Sequence, residues 1–166
     1  MKITVHTDGS SLYNGKEYCI GGWSAVIRSS AGLKIRYGHL SPPSSNNRGE
    51  IQGVLYTLML FRDKPDWEIS IYSDSQYVCN SINEWQHKWR RNNYNKIKNL
   101  DLMIPMFNLW NRRKNTKISW IRGHSGDLNN ELADQFAGDG MRNIDRSMQS
   151  EFTDIKIVNE TWFKGA

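Results

Sequence analysis

The sequence predicts an α/β fold in which helices flank a mixed β-sheet. Apolar residues alternate along five short stretches, which is typical of strands, and recur at helical spacing along four others. The predicted order is β-β-β-α-β-α-α-β-α, in which an antiparallel run of strands comes first and helices separate the later strands. At 166 residues the chain has the length of a single domain and can bury a substantial core.

The first three predicted strands form the antiparallel run. Ile3 and Val5 alternate with polar residues in the first strand, and the turn-forming pair Asp8-Gly9 is expected to end it. The second and third strands, and the turn that joins them in a hairpin, are predicted at residues 20–27, 33–40 and 29–32.

Helices and strands alternate in the rest of the chain. Helical spacing predicts a first helix over residues 48–61, although Gly49 and Gly53 each cost about 1 kcal/mol relative to alanine inside a helix. The fourth and fifth strands are predicted at residues 67–72 and 117–121. The apolar stripes of the other three helices are, in chain order, Val78, Ile82, Trp85 and Trp89, then Leu100, Met103, Ile104, Phe107 and Trp110, then Leu132, Ala133, Phe136 and Ala137.

Pro105 falls inside the third predicted helix. It fits an uninterrupted helix if that helix begins near Asp101, because the amides of a first turn have no partner within the helix. Otherwise a kink is expected at this position. After the last helix, the chain from Met141 onward is polar, with one strand-like alternation at residues 155–158. We therefore predict a domain over residues 1–140 and a C-terminal tail, partly ordered, over residues 141–166.

The composition points to an anionic partner. Lysine and arginine number 22 against 17 acidic residues, which gives a net charge of +5. No apolar run is long enough to span a membrane, and no hydrophobic segment of a signal peptide follows Met1. Two cysteines are too few for a disulfide framework. We expect a cytoplasmic, monomeric protein with no membrane association.

Four acidic residues occupy positions that a mixed sheet brings together. Asp8 and Asp74 end predicted strands, Glu50 lies near the start of a helix, and Asp134 lies early in the last helix. Strand ends and helix starts meet at the carboxyl edge of such a sheet. Two carboxylates about 4 Å apart repel by about 4 kcal/mol at an effective dielectric constant near 20, so protons or cations must neutralise the cluster.

The ligand chemistry of such a cluster is specific. Oxygen-only donors favour Mg²⁺ or Mn²⁺ over zinc. Two such ions about 3.5–4 Å apart activate water and stabilise the leaving oxygen in phosphodiester cleavage. The four acids together therefore indicate a metal-dependent nuclease.

Each acid also has an ordinary structural explanation when it is considered alone. Asp8 would form a simple turn, and Glu50 would close a capping box with Asn47. Asp74 would cap the helix that follows it, and Asp134 would be a solvated helical residue. Only the four in combination favour a site over these alternatives.

The ordered motifs resemble those of bacterial type 1 ribonuclease H over about residues 1–140. The resemblance implies the ribonuclease H-like fold, a five-stranded mixed sheet with helices on both faces, and makes residues 1–140 the catalytic domain. It also implies an endonuclease that hydrolyses the RNA strand of RNA–DNA hybrids and leaves 5′-phosphate and 3′-hydroxyl ends. The matching motifs are Thr7-Asp8-Gly9-Ser10, Asn46-Asn47-Arg48-Gly49-Glu50, Ser73-Asp74-Ser75-Gln76-Tyr77-Val78, Trp120-Ile121-Arg122-Gly123-His124-Ser125-Gly126 and Asn130-Glu131-Leu132-Ala133-Asp134.

The resemblance assigns roles to individual residues. His124 resembles a mobile loop histidine that assists proton transfer or product release, although alone it would be an ordinary loop residue. Gly49, where the family carries a larger residue, and Pro105, within a family helix, depart from the pattern without touching the acids. The implied ligands of two Mg²⁺ ions, or of Mn²⁺, are Asp8, Glu50, Asp74 and Asp134.

A basic, acid-free stretch predicts a nucleic-acid contact. We call residues 85–100 the basic arm. Such a run is often only a solvated face, but interleaved aromatic residues favour contact with phosphates, sugars and bases. The arm resembles the family's basic protrusion, which grips the DNA strand. Its candidate contacts are Trp85, Lys88, Trp89, Arg90 and Arg91.

Three amides complete the expected substrate contacts. Asn14, Asn46 and Gln76 match family positions that contact the sugars and phosphates of the substrate. A contact to the 2′-hydroxyl is how a protein distinguishes RNA from DNA.

Other functions compete with the stand-alone enzyme. One is a ribonuclease H domain of a reverse transcriptase or a resolvase-like DNase, and the other is a non-catalytic hybrid-binding module. The start at Met1 and the complete motif set favour the stand-alone enzyme. The basic arm and the His124 loop disfavour the DNase, and the four acids disfavour the silent module.

Overall fold

The sheet is mixed and has six strands in the order β5-β4-β1-β2-β3-β6. The structure, a computed structural model, describes residues 1–146 and 155–160. β1 pairs antiparallel with β2, and β2 with β3, whereas β4, β5 and β6 join through parallel pairings. The strands are β1 Lys2–Leu12, β2 Ile20–Ser29, β3 Gly32–Leu40, β4 Glu68–Ser73, β5 Thr116–Trp120 and β6 Ile155–Asn159.

Helices cover both faces of this sheet, which confirms the predicted α/β class. On one face, α1 and α4 enclose a core that includes Val5, Ile71 and Leu58. On the other face, Phe136 of α5 packs with Val26 from the sheet. The helices are α1 Asn46–Leu60, α2 Gln76–Asn80, a π-helical segment Ser81–Trp85, α3 Gln86–Arg91, α4 Leu100–Trp110 and α5 Leu128–Met141.

The first strand is longer than predicted. The Asp8-Gly9 pair was expected to end it, but β1 continues to Leu12. The reason is that β2 stays paired beyond this point, with Asp8 opposite Ser24. The parallel pairing with β4 stops earlier, at Thr7 opposite Ser73. The local turn signal is therefore overridden by a long antiparallel ladder, and the prediction that Asp8 ends the strand was wrong.

The second predicted helix is continuous but not regular. Asn80 and Trp85, which flank the junctions of the π-helical segment, keep right-handed helical backbone angles (φ −68° and −83°). After α3 the basic arm leaves the helix, and Asn93, Tyr94 and Lys96 have positive φ angles of 53°, 56° and 63°. The arm is thus a helical half followed by a series of turns.

Pro105 lies inside α4 without ending it. The helix begins at Leu100, close to the expected start, and the Met103 amide donates to the Asn99 carbonyl at 2.9 Å. Pro105 is the sixth helical residue and lies beyond the first turn. The explanation that its missing amide would fall among the free amides of the first turn was therefore wrong. The missing amide would have paired with the carbonyl of Asp101, which is an exposed residue that water can reach.

The sixth strand adds to the five that were expected. β6 pairs in parallel with β3, with Ile157 opposite Ile35. Just beyond it, a Glu160 carboxylate oxygen lies 3.4 Å from Nε of Arg36 and accepts a hydrogen bond from the Tyr56 hydroxyl at 2.7 Å. Part of the predicted tail therefore belongs to the sheet. The remaining tail residues, 147–154 and 161–166, lie outside the described residues.

Among the described residues, no helix combines the length and the apolar character that crossing a lipid bilayer requires.

Candidate active site

Three elements meet where the parallel half of the sheet ends. Asp8 lies on β1 one residue beyond its last pairing with β4. Asp74 directly follows β4, and Glu50 is the fifth residue of α1. The predicted convergence of these three acids is therefore observed, although Asp8 lies within its strand and only Asp74 follows a strand end.

Glycine contacts bring α1 close enough to deliver Glu50. A Cβ atom on Gly49 would lie 2.4 Å from the Gly22 carbonyl oxygen and 3.0 Å from Cα of Gly9. Glycine at position 49 weakens the helix by about 1 kcal/mol relative to alanine. It also lets backbone approach backbone, and this places the next residue beside Asp8. The departure of Gly49 from the family pattern thus has a local structural reason.

The three carboxyl groups form a tight cluster. One oxygen atom from each of Asp8, Glu50 and Asp74 lies within 4.8 Å of the others. Asp8 is 3% exposed and Glu50 is 9% exposed. The Gly9 amide donates to Oδ1 of Asp8 at 2.9 Å, whereas the buried Oε2 of Glu50 has no hydrogen-bond partner among the described residues.

Burial and mutual repulsion raise the pKa values of all three carboxyl groups. Burial, and then the charge of Asp74, raises the pKa of Asp8 to about 8. Burial and the neighbouring Asp8 raise the pKa of Glu50 well above its usual range. Burial also raises the pKa of Asp74, although a hydrogen bond with Asp8 opposes the change. A cation bound at the cluster would lower these pKa values and favour the ionised carboxylates.

A divalent cation fits this cluster. The donor set is made only of carboxylate oxygens, which hard ions such as Mg²⁺ and Mn²⁺ prefer. The unpartnered Oε2 of Glu50 offers a lone pair that no described protein donor satisfies. The residues present therefore suit a bound divalent ion better than they suit an empty pocket.

The capping alternatives do not apply to these acids. The hydroxyl of Ser45 caps α1 by accepting from the Arg48 amide at 3.1 Å, so Asn47 and Glu50 form no capping box there. The hydroxyl of Ser75 caps α2 in the same way, so Asp74 is not its cap. Neither acid has the helix-end role that would explain it without a site.

Asp134 lies near the cluster but outside its tightest part. It is an exposed residue in the middle of α5, and its charge raises the pKa of both Asp8 and Asp74. Among the described residues, only Asp8, Glu50 and Asp74 fall within the 4.8 Å grouping. The structure therefore brings three of the four predicted acids together and leaves the fourth within electrostatic range.

His124 lies in the loop that leads from β5 to α5. Its side chain is exposed, its φ is +56°, and its charge lowers the pKa of Asp74. The preceding Gly123 packs against Asp74, because a Cβ atom there would lie 2.8 Å from Oδ2 of Asp74. This loop thus borders the cluster on the Asp74 side.

A hydrogen bond from the backbone of Asn46 to the side chain of Asn14 joins two of the residues predicted to contact substrate. The Asn46 amide donates to Oδ1 of Asn14 at 3.1 Å, and the Ser11 hydroxyl donates to Oδ1 of Asn46 at 2.5 Å. Gln76 is exposed at the start of α2. An open cleft of about 720 Å³ adjoins this pair, and its lining includes Lys16, Lys98 and Asn99.

The cleft adds residues that sequence reasoning did not single out as contacts. In the sequence, Lys98 counted only as one of the positive charges of the basic arm. Lys16 and Asn99 belong to none of the motifs. Asn99 has a φ of +61° directly before α4, a conformation that asparagine tolerates better than most residues. The clustering of asparagines near one predicted helix start was the signal available in the sequence.

In the basic arm, the charged side chains are exposed, whereas the tryptophan rings are partly buried. Lys88, Arg90 and Arg91 are exposed. Trp89 is partly buried and packs 6.4 Å from Phe107, centroid to centroid, while Trp85 is half-buried 5.5 Å from Trp89. The cations are available to a ligand, whereas Trp89 contributes mainly to packing.

Comparisons with known proteins agree with this geometry. The sequence model of the family described as RNase H matches residues 1–142. The chain is 36% identical over 141 residues to a ribonuclease H of Francisella tularensis subsp. novicida (strain U112), which spans 82% of this chain and 88% of that protein.

Solved structures show the same fold. LC9-RNase H1, a type 1 RNase H with the type 2 active-site motif, superposes with a TM-score of 0.73 and 22% identity. The superposition covers 86% of this chain and 72% of that one. The foamy viral protease–reverse transcriptase in complex with RNA/DNA hybrid superposes with a TM-score of 0.72 at 21% identity, over 86% of this chain and 20% of that one.

Proposed function

Because this chain belongs to the ribonuclease H family, we propose that its carboxylate cluster hydrolyses the RNA strand of RNA–DNA hybrids with bound divalent metal. The family consists of metal-dependent endonucleases for this substrate, and the chain is such an enzyme. The observation that carries the proposal for the site is the grouping of three carboxylate oxygens within 4.8 Å.

We assign the metal-binding role to Asp8, Glu50, Asp74 and Asp134. Two bound Mg²⁺ ions, or Mn²⁺, would activate the attacking water and stabilise the leaving 3′-oxygen. The first three residues supply the compact oxygen cluster, and Asp134 adds negative charge within electrostatic range of it. The proposed products are a 5′-phosphate and a 3′-hydroxyl.

The protein groups prepare this chemistry through their protons. Without metal, a hydrogen bond between Glu50 and Asp8 raises the pKa of Glu50 and opposes the rise in the pKa of Asp8. Metal binding would require both to release protons, because the carboxylate form is the ligand. His124, exposed beside Asp74, would receive or deliver a proton during cleavage or help the product to leave.

Substrate recognition is assigned to two sets of residues. Asn14, Asn46 and Gln76 have side chains that can hydrogen-bond to 2′-hydroxyls and phosphates. The exposed cations Lys88, Arg90 and Arg91 would neutralise phosphates of the DNA strand. The residues of the basic arm that are proposed to contact the substrate are Trp85, Lys88, Trp89, Arg90 and Arg91.

A module that only binds hybrids explains the cluster less well. Three neighbouring carboxyl groups with raised pKa values destabilise a metal-free fold at neutral pH, and a binding module gains nothing from that loss of stability. A catalytic site gains its metal ions.

The domain assignment of residues 1–140, the monomeric state and a cytoplasmic location are also proposals. Size-exclusion chromatography with light scattering tests the monomeric state.

One cleavage assay tests the proposed function. A labelled RNA–DNA hybrid, duplex DNA and duplex RNA are incubated with the protein in Mg²⁺ and in EDTA. We expect cleavage of the RNA strand of the hybrid alone, and only with metal. Asp8→Asn should lose most of this cleavage while keeping its circular-dichroism spectrum, and Asp63→Asn, an exposed acid remote from the cluster, should retain it. Metal-independent cleavage, or full activity of Asp8→Asn, would remove the cluster from catalysis.

A further inference from the structure

Two tyrosines stand out on the loop between β1 and β2. Tyr13 is 56% exposed and Tyr18 is 59% exposed. Their rings meet edge to face, with centroids 5.2 Å apart and an interplanar angle of 65°. Neither ring belongs to the hydrophobic cores of the described residues, so packing does not explain the pair.

Backbone hydrogen bonds hold this loop in one shape. The Lys16 amide donates to the Tyr13 carbonyl at 3.0 Å, and the Cys19 amide donates to the Lys16 carbonyl at 3.0 Å. The fully buried Cys19 anchors the end of the loop, and its carbonyl accepts from the Ser44 amide at 3.0 Å. The two rings are therefore presented to solvent on a braced loop, and a ligand would pay little entropy to order them.

The pair adjoins the proposed substrate contacts. Asn14, which follows Tyr13, accepts the hydrogen bond from the Asn46 amide. Asn46 begins α1, the helix that carries Glu50. Lys16 lies between the two tyrosines in sequence and lines the cleft beside these amides. A duplex that contacts Asn14 would therefore lie near the adjacent Tyr13, whose ring contacts that of Tyr18.

We propose that Tyr13 and Tyr18 bind the RNA–DNA hybrid by placing their rings against the sugars of its minor groove beside Asn14. This inference rests on the proposed function. The bases of a hybrid are paired, so the sugar faces, and not the base faces, are the apolar surface open to a ring. A wide, shallow minor groove exposes those sugars with their 2′-hydroxyls. The tyrosines would add an uncharged contribution to a surface whose other contacts are amides and cations.

Binding across a salt series separates this contribution from phosphate contacts. A fluorescent RNA–DNA hybrid is titrated in EDTA and followed by anisotropy, so that cleavage does not intervene. Tyr18→Ala leaves the left-handed residues of the loop unchanged, and Tyr13→Gly/Tyr18→Ala puts glycine where φ is +66°. We expect the double variant to bind about fivefold or more weakly, the low end of aromatic contributions to nucleic-acid binding.

The salt slope and a conservative variant identify the cause. The slope of log affinity against log salt should equal that of the wild type, because the rings neutralise no phosphate. Tyr18→Phe should retain most of the affinity, since it keeps the ring. Met59→Ala, an exposed apolar residue at the far end of α1, is the control and should bind as the wild type does.

The failures are distinguishable. Wild-type affinity of the double variant would overturn the tyrosine contact, as would a weaker affinity with a shallower salt slope. A partner other than nucleic acid would give the first of these results. The proposed function fails separately, if the wild-type protein does not cleave the hybrid in Mg²⁺.

Discussion

At the scale of single residues, the carboxyl group of Asp8 couples the stability of the fold to pH. Its pKa is about 8 in the folded protein, against about 3.9 in an unfolded chain. A raised carboxyl pKa contributes stability that is complete below the unfolded value and is lost as the pH rises through the folded value. We therefore expect the melting temperature in EDTA to fall between about pH 4 and pH 8, measured by thermal denaturation.

A matched pair of variants checks the cause of this pH dependence. Asp8→Asn removes one of three neighbouring charges and should stabilise the metal-free protein by about 1–3 kcal/mol at pH 8. The exposed Asp63→Asn should change nothing. If Asp8→Asn showed the wild-type pH profile, repulsion at the cluster would not be the origin. Added Mg²⁺ should restore stability to the wild type more than to Asp8→Asn.

Replacing His124 should slow cleavage without abolishing it. Its exposed side chain lies outside the carboxylate cluster, so replacement leaves the ligands in place. We expect His124→Ala to slow turnover by about 10²-fold or less, the lower end of general acid–base contributions, in steady-state cleavage of a hybrid. A loss as complete as that of Asp8→Asn would make His124 a ligand or a structural residue.

The sequence was enough to select the acids but not to explain how they meet. Motif order picked out Asp8, Glu50 and Asp74, which lie together. The glycine at position 49 looked only like a weak point of a helix. Its role depends on the Gly22 carbonyl 2.4 Å from the site of a Cβ atom, and a contact between residues so distant in sequence leaves no local pattern.

At the scale of elements, the basic arm should contribute affinity and little to the chemical step. A triple alanine variant at Lys88, Arg90 and Arg91 removes exposed cations and leaves the acids intact. Each phosphate contact contributes a slope of roughly −0.9 in log affinity against log salt, so the variant should show a shallower slope. Its KM should rise while kcat is largely kept, because the lost binding is uniform.

Steady-state cleavage across a salt series measures both quantities. A triple variant with unchanged KM and unchanged slope would make the three cations a solvated face. The grip on the duplex would then have to come from other cations, such as the exposed Lys16 and Lys98 beside the cleft.

Element boundaries were predicted well where one periodicity governs and poorly where neighbours decide. The apolar stripe over Val78, Ile82 and Trp85 indicated a helix but not the π-helical segment Ser81–Trp85 within it. The end of β1 was misplaced because the Asp8-Gly9 turn signal is local, whereas the ladder with β2 that overrides it is not. Strand ends depend on what pairs with them.

At the scale of the whole molecule, Glu160, which directly follows the sixth strand, should stabilise the fold through its ion pair with Arg36. The Arg36 and Glu160 side chains are 11% and 12% exposed, and two guanidinium nitrogens of Arg36 have no hydrogen-bond partner among the described residues. Glu160→Gln leaves a buried cation without its counter-charge, which costs about 3–5 kcal/mol. Denaturant unfolding should show this loss, with kcat for the hybrid retained.

The exposed ion pair Lys2–Glu68 is the control for this prediction. Its side chains are 88% and 56% exposed, so Glu68→Gln should change the free energy of unfolding by less than about 1 kcal/mol. Equal effects of the two variants would show that burial of the Arg36 pair does not matter. The comparison therefore isolates what the burial of the Arg36–Glu160 pair adds.

The sixth strand marks the limit of sequence reasoning for the whole fold. The alternation at residues 155–158 was visible, but a pattern over four residues does not identify the strand with which they pair. Parallel neighbours are joined by long connections, so nothing near Ile157 in sequence points to Ile35. The class of the fold could be read from element order, whereas the complete sheet required the tertiary contacts.

The uneven pairing of β1 sets a boundary in local opening. Up to Thr7 this strand is hydrogen-bonded on both sides, and from Asp8 onward it is held by β2 alone. Amides of the doubly held half can exchange with deuterium only when the sheet itself opens, whereas those beyond Asp8 need the loss of a single neighbour. Asp8 therefore lies at the boundary between slowly and rapidly exchanging amides. The end of β1 beyond Asp8 can therefore open locally while the centre of the sheet stays closed.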